Sequence, residues 1–343
     1  MVKAAGGMSH DFPVGSGVRQ GAVLSPLLFG IVMDWILTPL GSGAYPGVSL
    51  WQGRGLADVD FADDVLLLDS EAPRMQSMIN EVSDRGAAFG LRLNSAKCVG
   101  MAAGFDDAPV LLVNGERLRM EESLVYLGSE VDFRGSGTKE ISRRISLATA
   151  SFSSLYHRLW KRHVTLRTKL RVFGSLVRPV LLYGCESWPL LNSDLRKLGV
   201  FERRCLRTIL RVSPRDRLTN EELYRRTNIL PLERILCERR WRWLGHILRM
   251  GNHRLPKATL LAAVHPTGKG NKSRPGASGC MTWRRTVEKE ASSFEPLRRK
   301  VGGWATWRQG RWLECLEKEA QERPQWKKLT REVTGAALRS RQG

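Results

Sequence analysis

The chain has 343 residues, of which 42% are hydrophobic, and this composition excludes an intrinsically disordered protein. Its net charge of +21 is distributed unevenly. Residues 1–138 contain 10 Lys and Arg against 17 Asp and Glu, a net charge of −7, whereas residues 139–343 contain 45 against 17, a net charge of +28. The basic C-terminal part therefore predicts a polyanionic partner, and nucleic acid is the first candidate.

The six cysteines are widely scattered and none forms a CxxC pair, which is typical of reduced thiols inside a cell. The N-terminus has no apolar signal core, so we expect an intracellular location, in the nucleus or the cytoplasm. The longest apolar stretch, residues 22–37, is interrupted by Pro26 and Asp34 and is too short to span a bilayer. We therefore expect no membrane among the partners.

The first predicted helix follows the glycine-rich segment Gly15-Ser16-Gly17. Pro26 suits the first turn of a helix, and Ser25 before it suits the N-cap position. The apolar residues that follow at helical spacing predict the buried stripe of this helix, and they are Leu27, Leu28, Ile31 and Trp35.

A β-hairpin with an acidic tip is predicted next. Val59 and Phe61 alternate with acids, residues 65–68 form a short apolar run, and Ala62-Asp63-Asp64 lies between the two. A helix from about 73 to 89 follows, ended by Gly90, and a further strand pair covers roughly 98–133. This order of elements indicates an α+β domain.

From Lys139 onward the pattern changes to basic amphipathic helices, of which one begins at the capping box Thr219-Asn220-Glu221-Glu222. A basic, glycine-rich linker over 265–279 and a Trp-rich tail follow. We therefore predict three regions: an α+β domain at 1–135, an all-α basic region at 136–255, and a basic linker and Trp-rich tail at 256–343.

The strongest chemical signal is the Asp63-Asp64 pair between two apolar strands. Adjacent side chains on a strand point to opposite faces, so two neighbouring carboxylates can share a metal only where the backbone turns, as at a hairpin tip. Carboxylates suit Mg²⁺, which leaves coordination positions open for substrate phosphates. The alternative is a solvated acidic turn without a ligand.

Four motifs in order resemble the palm of reverse transcriptases from non-LTR (LINE-like, RTE-type) retrotransposons. They are GVRQGAVLSPLLF at 17–29, resembling motif B; FADD at 61–64, resembling motif C; GLRLNSAK at 90–97, resembling motif D; and YLG at 126–128, resembling motif E. LYGCESW at 182–188 and RRWRWLGH at 239–246 are similar to segments that follow the palm in such elements. The resemblance covers about residues 11–255.

The resemblance implies an RNA-directed DNA polymerase with an antiparallel palm sheet, helices, and an all-α basic thumb. It implies Mg²⁺ or Mn²⁺ as the cofactor, held by Asp63 and Asp64, with Lys97 near the leaving pyrophosphate. The residues it implies at the template and the incoming nucleotide are Gln20, Gly21, Leu24, Ser25 and Pro26. Those implied at the primer are Tyr126, Leu127 and Gly128. Those implied at the backbone of the RNA–DNA hybrid are Arg143, Arg144, Arg158 and Lys161.

Several of these residues have simpler interpretations. Gln20 can serve a turn, Lys97 can be an ordinary surface lysine, and individual arginines can be solvated. The tryptophans of the C-terminal part are more often core anchors than platforms for stacked bases, and they are Trp241, Trp243, Trp304, Trp307 and Trp312.

The sequence departs from the family pattern at its start. A further metal-binding Asp, on a strand well upstream of motif B, and the fingers have no counterpart here, and Asp11 lies too close to Val18 to take that role. With part of the carboxylate set, we expect a C-terminal fragment that is inactive alone. The RNA template, the hybrid and deoxynucleoside triphosphates are the expected partners of the complete enzyme. The competing hypotheses are a non-catalytic nucleic-acid-binding protein derived from a retroelement, a decayed fragment, and a relative of group II intron or telomerase enzymes.

Overall fold

The computed structural model describes residues 3–4, 7–8, 10, 17–41, 43–49, 55–104, 107–264, 283–301 and 312–342. Internal contacts divide the chain into two units. The first unit contains the described residues of 1–49, 53–100 and 106–119, and the second contains 101–104 and the described residues from 120 onward. The division lies about sixteen residues before the predicted boundary at 135/136.

The first unit combines two long helices with short strands. In chain order its elements are β1 (Lys3–Ala4), β2 (Gly7–Met8), α1 (Ser25–Gly41), β3 (Val48–Ser49), β4 (Gly55–Leu56), β5 (Asp58–Phe61), β6 (Asp64–Leu67), α2 (Ala72–Ala87), β7 (Val99–Gly100), β8 (Leu112–Val113) and β9 (Glu116–Arg117). The pairs β1–β2, β3–β4, β5–β6 and β8–β9 are antiparallel. The predicted mixture of helices and antiparallel strands is therefore confirmed, in the form of separate two-stranded pairs.

Helix α1 buries a different face from the one predicted. Its buried side chains are Met33, Ile36, Leu37 and Leu40, and these form a small core with Ala57, Met78 and Val82. The predicted stripe of Leu27, Leu28, Ile31 and Trp35 is exposed instead. Because α1 is apolar on nearly all sides, helical spacing alone could not distinguish its buried face from the other.

Helix α2 agrees closely with the prediction. Proline stands at its start, and Gly90, with φ of +73°, lies just beyond its end. Its buried residues Met78, Ile79 and Val82 recur at helical spacing. Val65 and Leu67 of β6 pack against the same core, so the β5–β6 hairpin is anchored by its second strand.

The second unit is mainly helical. After β10 (Arg119–Met120), at the junction of the units, its elements are β11 (Ser123–Tyr126), β12 (Ser129–Asp132), α3 (Thr138–Ser154), α4 (Leu166–Val172), α5 (Arg178–Leu181), α6 (Asn192–Leu210), α7 (Asn220–Thr227), α8 (Leu232–Leu248), α9 (Leu255–Val264), α10 (Trp283–Ser292), α11 (Glu295–Val301), α12 (Trp312–Gln321) and α13 (Arg323–Gln342). Two π-helical turns, Tyr156–Trp160 and Phe173–Val177, and a 3₁₀ turn, Pro214–Asp216, lie between them.

Two hydrophobic cores lie within this unit, and α8 contributes to both. Leu232 and Leu236, from its first turns, belong to a core formed mainly by α3 to α7. Trp241, Leu244 and Leu248, further along α8, belong to a second core with helices α10, α12 and α13. The predicted separation of a helical region at 136–255 from a tail at 256–343 thus differs from the structure, in which described tail residues complete a core begun by α8.

The tryptophans of the C-terminal part are mostly core residues. Trp241, Trp312 and Trp326 are buried, as the core interpretation predicts for the first two. Trp304, Trp307 and the 265–279 linker lie outside the described residues. None of the helices that the structure describes is long and apolar enough to cross a membrane.

Candidate functional site

The acidic hairpin tip is a two-residue turn. Phe61 pairs with Asp64 across β5 and β6, which leaves Ala62 and Asp63 as the two turn residues. Ala62 adopts a φ of 56°, a left-handed conformation that an L-residue with a Cβ adopts only at a cost of about 1–2 kcal/mol. Asp63 and Asp64 are both exposed, so their carboxylates are open to solvent and to a ligand. The backbone reversal predicted at this point is confirmed.

Two further acids lie on the strand that leads to the tip. Asp58 and Asp60 alternate with Val59 and so point to one face of β5. The pKa of Asp58 is raised above its ordinary value, first because burial disfavours its charged form and second because Asp60 places another negative charge nearby. Burial, more than the neighbouring charge, therefore sets the direction of this shift.

The donors at the tip suit a hard divalent cation only in part. Carboxylate oxygens are the ligands that Mg²⁺ takes, and Asp63 and Asp64 offer them at adjacent positions. Within the described residues, however, no three Asp, Glu, His or Cys side chains come together as a metal-binding group. The pair fits part of a metal site, and a two-metal site would require further carboxylate charge.

The segment before α1 forms a tight turn around Gln20 and Gly21. The amide of Ala22 donates to the carbonyl of Arg19 at 3.2 Å, and Gly21, at the third position of the turn, has a φ of +84°. A positive φ at that position is the reason why glycine is preferred there. The side chain of Gln20 is exposed. Gln20 thus presents its amide to solvent from a turn that Gly21 makes possible.

The start of α1 differs by one residue from the prediction. Ser25 is the first helical residue and not the residue before the helix, and its hydroxyl donates to the carbonyl of Arg19 at 2.5 Å. Ser25 therefore closes the Gln20–Gly21 turn onto the helix. Leu24 and Pro26 beside it are exposed, as are Gln20 and Gly21, whereas Ser25 is half-buried.

Lys97 lies in a turn that is tied to a neighbouring hairpin. The amide of Lys97 donates to the carbonyl of Asn94 at 2.9 Å, and its side chain is exposed. The Asn114 side chain donates to the carbonyl of Leu93 at 2.8 Å, and the Ser95 hydroxyl donates to Glu116. Lys97 thus presents an exposed ammonium group on an ordered turn, which its predicted role near a pyrophosphate requires.

The YLG motif is the turn of the hairpin β11–β12 in the second unit. Tyr126 pairs with Ser129, so Leu127 and Gly128 are the two turn residues, with φ of 47° and 77°. Two successive positive φ angles define a type I′ turn, the geometry that matches the twist of a hairpin. The positive φ at position 128 explains the glycine there. Leu127 also has a positive φ, although residues with a Cβ disfavour this conformation.

A set of side chains from two other segments holds this turn. The hydroxyl of Tyr183 donates to the carbonyl of Leu127 at 2.8 Å, and Arg143 donates to the carbonyl of Gly128 at 3.1 Å. Arg144 also donates to the Gly128 carbonyl, and its guanidinium carbon lies 4.4 Å from the centre of the Tyr183 ring. We call Arg143, Arg144 and Tyr183 the turn clamp.

Arg144 is predicted to contact a nucleic-acid backbone, but the structure places it in the turn clamp. Arg144 is buried and pairs with Glu140 at 2.5 Å, and the second carboxylate oxygen of Glu140 accepts from the amide of Glu130 at 2.8 Å. Its charge is thus compensated inside the protein, and it acts on β11–β12. Sequence reasoning missed Glu140 and Tyr183; the available signal for Tyr183 was its position inside the LYGCESW motif.

Arg158 and Lys161 lie on or just after the π-helical turn that follows α3. Both side chains are exposed, and the Lys161 ammonium lies 5.0 Å from the centre of the Tyr156 ring. Arg143 is half-buried at the turn clamp. The structure therefore divides the four predicted backbone-binding residues into two exposed cations and two that support the YLG turn.

Residues 3–131 match the sequence profile of the family described as reverse transcriptase (RNA-dependent DNA polymerase). This match includes all four motifs named above and spans parts of both units. The four motifs therefore agree with an independent description of the family.

Relatives extend the similarity beyond that segment. A transposon-derived protein of Caenorhabditis elegans is 22% identical over 276 residues, which cover 78% of this chain and 97% of the relative. The Pol polyprotein of a type-1 R2 retrotransposable element of Popillia japonica is 26% identical over 62% of this chain. The RNA-directed DNA polymerase of the mobile element jockey of Drosophila melanogaster is 23% identical over 61%.

The lengths of these relatives differ. The matched region spans nearly the whole C. elegans protein, but 35% of the R2 polyprotein and 23% of the jockey polymerase. The family match and the relatives together support the same assignment. Residues 3–131 are thus similar to a reverse transcriptase domain, and a larger part of the chain is similar to the RNA-directed DNA polymerases of non-LTR retrotransposons.

Proposed function

We propose that the chain serves RNA-directed DNA synthesis, with the Asp63–Asp64 tip as part of the metal-binding site. The observation that carries this proposal is the geometry of the tip. Two exposed carboxylates occupy a tight turn whose second strand is anchored in a hydrophobic core through Val65 and Leu67. A solvated acidic loop has no need of such an anchor, whereas a catalytic site needs its ligands held in place.

In this proposal Asp63 is a ligand of Mg²⁺ or Mn²⁺, and Asp64 is a second ligand or an electrostatic support. The metal would supply a lower pKa for the attacking hydroxyl and charge stabilisation for the leaving group. The exposed Gln20–Gly21 turn would approach the template and the incoming nucleotide, because glycine allows the backbone to come close to a ligand. The exposed Lys97 would offer its charge to the pyrophosphate.

The second unit would bind the primer and the duplex in this proposal. The YLG turn, held by the turn clamp, would contact the primer end. Arg158 and Lys161, which are exposed, would contact backbone phosphates of the hybrid. Arg143 and Arg144 would act through the YLG turn, since both donate to Gly128.

Extension by this chain should be weak unless a further carboxylate reaches the tip. Two-metal catalysis requires enough negative charge to hold both ions near the reacting phosphate, and the described residues bring only two acids to this turn. The purified chain, given a primed RNA template, four deoxynucleotides and Mg²⁺, should therefore produce little or no processive product.

The metal-site assignment is tested separately by Mn²⁺ binding, measured by electron paramagnetic resonance. Asp63→Asn keeps the shape of the side chain and removes a charged ligand, so Mn²⁺ affinity should fall by roughly tenfold or more. Asp84→Asn, an exposed acid on α2, is the matched control and should leave the affinity unchanged. Equal Mn²⁺ affinity of the Asp63→Asn variant and the original chain would remove the assignment. Strong extension that depends on Asp63 would show that another carboxylate completes the site.

A second candidate is a nucleic-acid-binding protein without catalysis. The specific observation in its favour is the net charge of +28 over residues 139–343. The two candidates differ in one property, because binding without catalysis would be independent of Mg²⁺ and of Asp63. Tight RNA binding by the Asp63→Asn variant, together with equal Mn²⁺ affinity of that variant and the original chain, would favour this second function.

A further inference from the structure

One face of α6 carries a row of arginines. Val200, Arg203, Arg204, Arg207 and Thr208 follow one another at intervals of three, one, three and one residues, which places them on one side of the helix. Together with Val212 they line an open cavity of about 350 Å³. We call this set the α6 arginine face.

The arginines of this face form no ion pairs with acids in the described part of the chain. Elsewhere in the unit, arginines pair with carboxylates, as Arg178 does with Glu202 at 2.5 Å. By contrast, no salt bridge to an acid within the described residues involves Arg203, Arg204 or Arg207. Three guanidinium groups along just over one turn of helix therefore create a strong local positive potential.

Neutral groups nevertheless hold one of these arginines, Arg207, in position. Arg207 donates to the side-chain carbonyl of Asn220 at 2.9 Å and to the backbone carbonyl of Leu218 at 3.3 Å. The Arg207 guanidinium is thus ordered without being neutralised, which lowers the entropy cost of binding an anion at this position.

The basic surface continues past the end of α6. Arg211, immediately after the helix, donates to the carbonyls of Lys161 at 2.6 Å and Arg162 at 3.2 Å. The exposed side chains of Lys161, Arg162 and His163 lie on the turn that Arg211 contacts. The α6 arginine face therefore borders the turn that also carries the predicted backbone-binding residue Lys161.

We propose that the α6 arginine face binds the phosphodiester backbone of a nucleic acid, with phosphates at Arg203, Arg204 and Arg207. A guanidinium group donates two parallel hydrogen bonds to two oxygens of one phosphate. A sugar fits beside the apolar Val200 and Val212. A lipid surface is the less suitable anion, because a helix that lies on a membrane inserts a broad apolar face and this face offers two valines. The proposal rests on the nucleic-acid binding proposed above for the second unit and names the residues that carry it, and it requires no catalysis.

The test uses the full chain and a fluorescein-labelled, single-stranded RNA of 20 nucleotides, with anisotropy measured across a range of salt concentrations. The variant Arg204→Gln/Arg207→Gln should weaken binding by roughly fivefold to tenfold at about 0.1 M salt. It should also make the slope of log affinity against log salt less steep by about 1.4, or 0.7 per lost phosphate contact on a single strand. Arg204→Gln alone, at an exposed position, should show about half of the change in slope and guards against misfolding of the double variant.

The matched control is Arg225→Gln/Arg226→Gln on α7, which removes two exposed arginines that Glu222 already pairs at 2.6 and 2.7 Å. It should change the salt slope little. An equal loss in both pairs would overturn the proposal, because net charge alone would then explain binding. Vesicles containing about one third phosphatidylserine form the last arm. Binding to them that depends on Arg204 and Arg207, without such a dependence for RNA, would assign the face to a membrane and overturn the proposal. Loss of Mn²⁺ binding at Asp63 would leave this result unaffected.

Discussion

Residues that adopt left-handed backbone conformations although they are not glycine mark two of the turns that carry family motifs. Ala62 lies at the acidic tip and Leu127 in the YLG turn, and neither is a glycine or an asparagine. Strained residues of this kind persist where surrounding contacts hold them, as Tyr183 and Arg143 do at Leu127 and Gly128. The sequence predicted that the chain turns at Ala62-Asp63-Asp64, but a turn type with a positive φ at an alanine could not be predicted from residue preferences.

The contribution of Asp58 to the free energy of unfolding should depend on pH. Its pKa in the folded protein is raised above the ordinary value of 3.8 by burial and by Asp60. Below that ordinary value Asp58 is protonated in both states and causes no loss of stability. As the pH rises through the folded pKa, ionisation favours the unfolded chain, so the stability that the neutral carboxyl contributed is lost at neutral pH. Asp58→Asn should therefore raise the urea midpoint of the first unit at pH 7 and leave it nearly unchanged at pH 3.

The control for this prediction is Asp84→Asn, which should have little effect on the urea midpoint at either pH. An equal gain from Asp58→Asn at both pH values would show that packing or hydrogen bonding, and not ionisation, is responsible. Circular dichroism at the two pH values is sufficient for the measurement.

Individual helices show which parts of the fold the sequence could predict. For helix α2 the proline near its start, the spacing of its apolar residues and the glycine after its end all indicate the same helix. Its limits were predicted within two residues. The capping box of α7 was predicted in part. The Thr219 hydroxyl accepts from the amide of Glu222 at 3.2 Å, but the Glu222 carboxylate pairs with Arg225 and Arg226 and not with the helix start.

Contacts between distant elements could not be predicted from local patterns. The indole of Trp326 donates to the carbonyl of Trp241 at 2.9 Å, across 85 positions of sequence. The sequence therefore predicted a separate Trp-rich tail, whereas the described helices of this segment complete a hydrophobic core. The turn clamp has the same character, since Tyr183 reaches Leu127 from 56 positions away.

The contact between α8 and α13 gives a prediction at the scale of elements. A Cβ at Gly245 would lie 2.1 Å from the indole nitrogen of Trp326, which is far inside normal contact distance. Because Trp326 is buried and hydrogen-bonded, it cannot move aside freely. Gly245→Ala should therefore destabilise the second unit by about 1–3 kcal/mol, the usual range for an overpacked core.

Gly335→Ala on α13 is the matched control, because a Cβ there meets nothing within 4 Å. It should stabilise the protein slightly, by up to about 1 kcal/mol, since alanine favours a helix more than glycine does. Urea unfolding of both variants measures the difference. A Gly245→Ala variant as stable as the original chain would contradict the packing described here.

The molecule as a whole combines an acidic first part with a basic second part, and the charge pattern alone indicated this division. The limits of the second unit were harder to predict. Its described tail helices cover Trp241, Leu244 and Leu248, all of which are buried. These residues would be exposed in any shorter chain that ends between α8 and α10.

A chain that stops after residue 254 should therefore associate or aggregate, whereas the full chain should not do so for this reason. The removed helices also supply Glu290, the partner of the buried Arg240, so a buried ion pair is lost with the apolar contacts. Size-exclusion chromatography with light scattering, together with dye binding to exposed apolar surface, distinguishes the two chains. A monomeric short chain with the melting temperature of the full chain would contradict the second core.

Helix α8 contributes its first turns to one core of the second unit and its later turns to the other. A helix shared in this way cannot detach from one core while it stays folded in the other. Local opening of α12 or α13 would remove the packing partners of α8. If α8 then unfolds, the core around α3 and α6 loses Leu232 and Leu236. In hydrogen exchange, the most protected amides of both cores should accordingly open with nearly the same free energy, as one cooperative unit of folding.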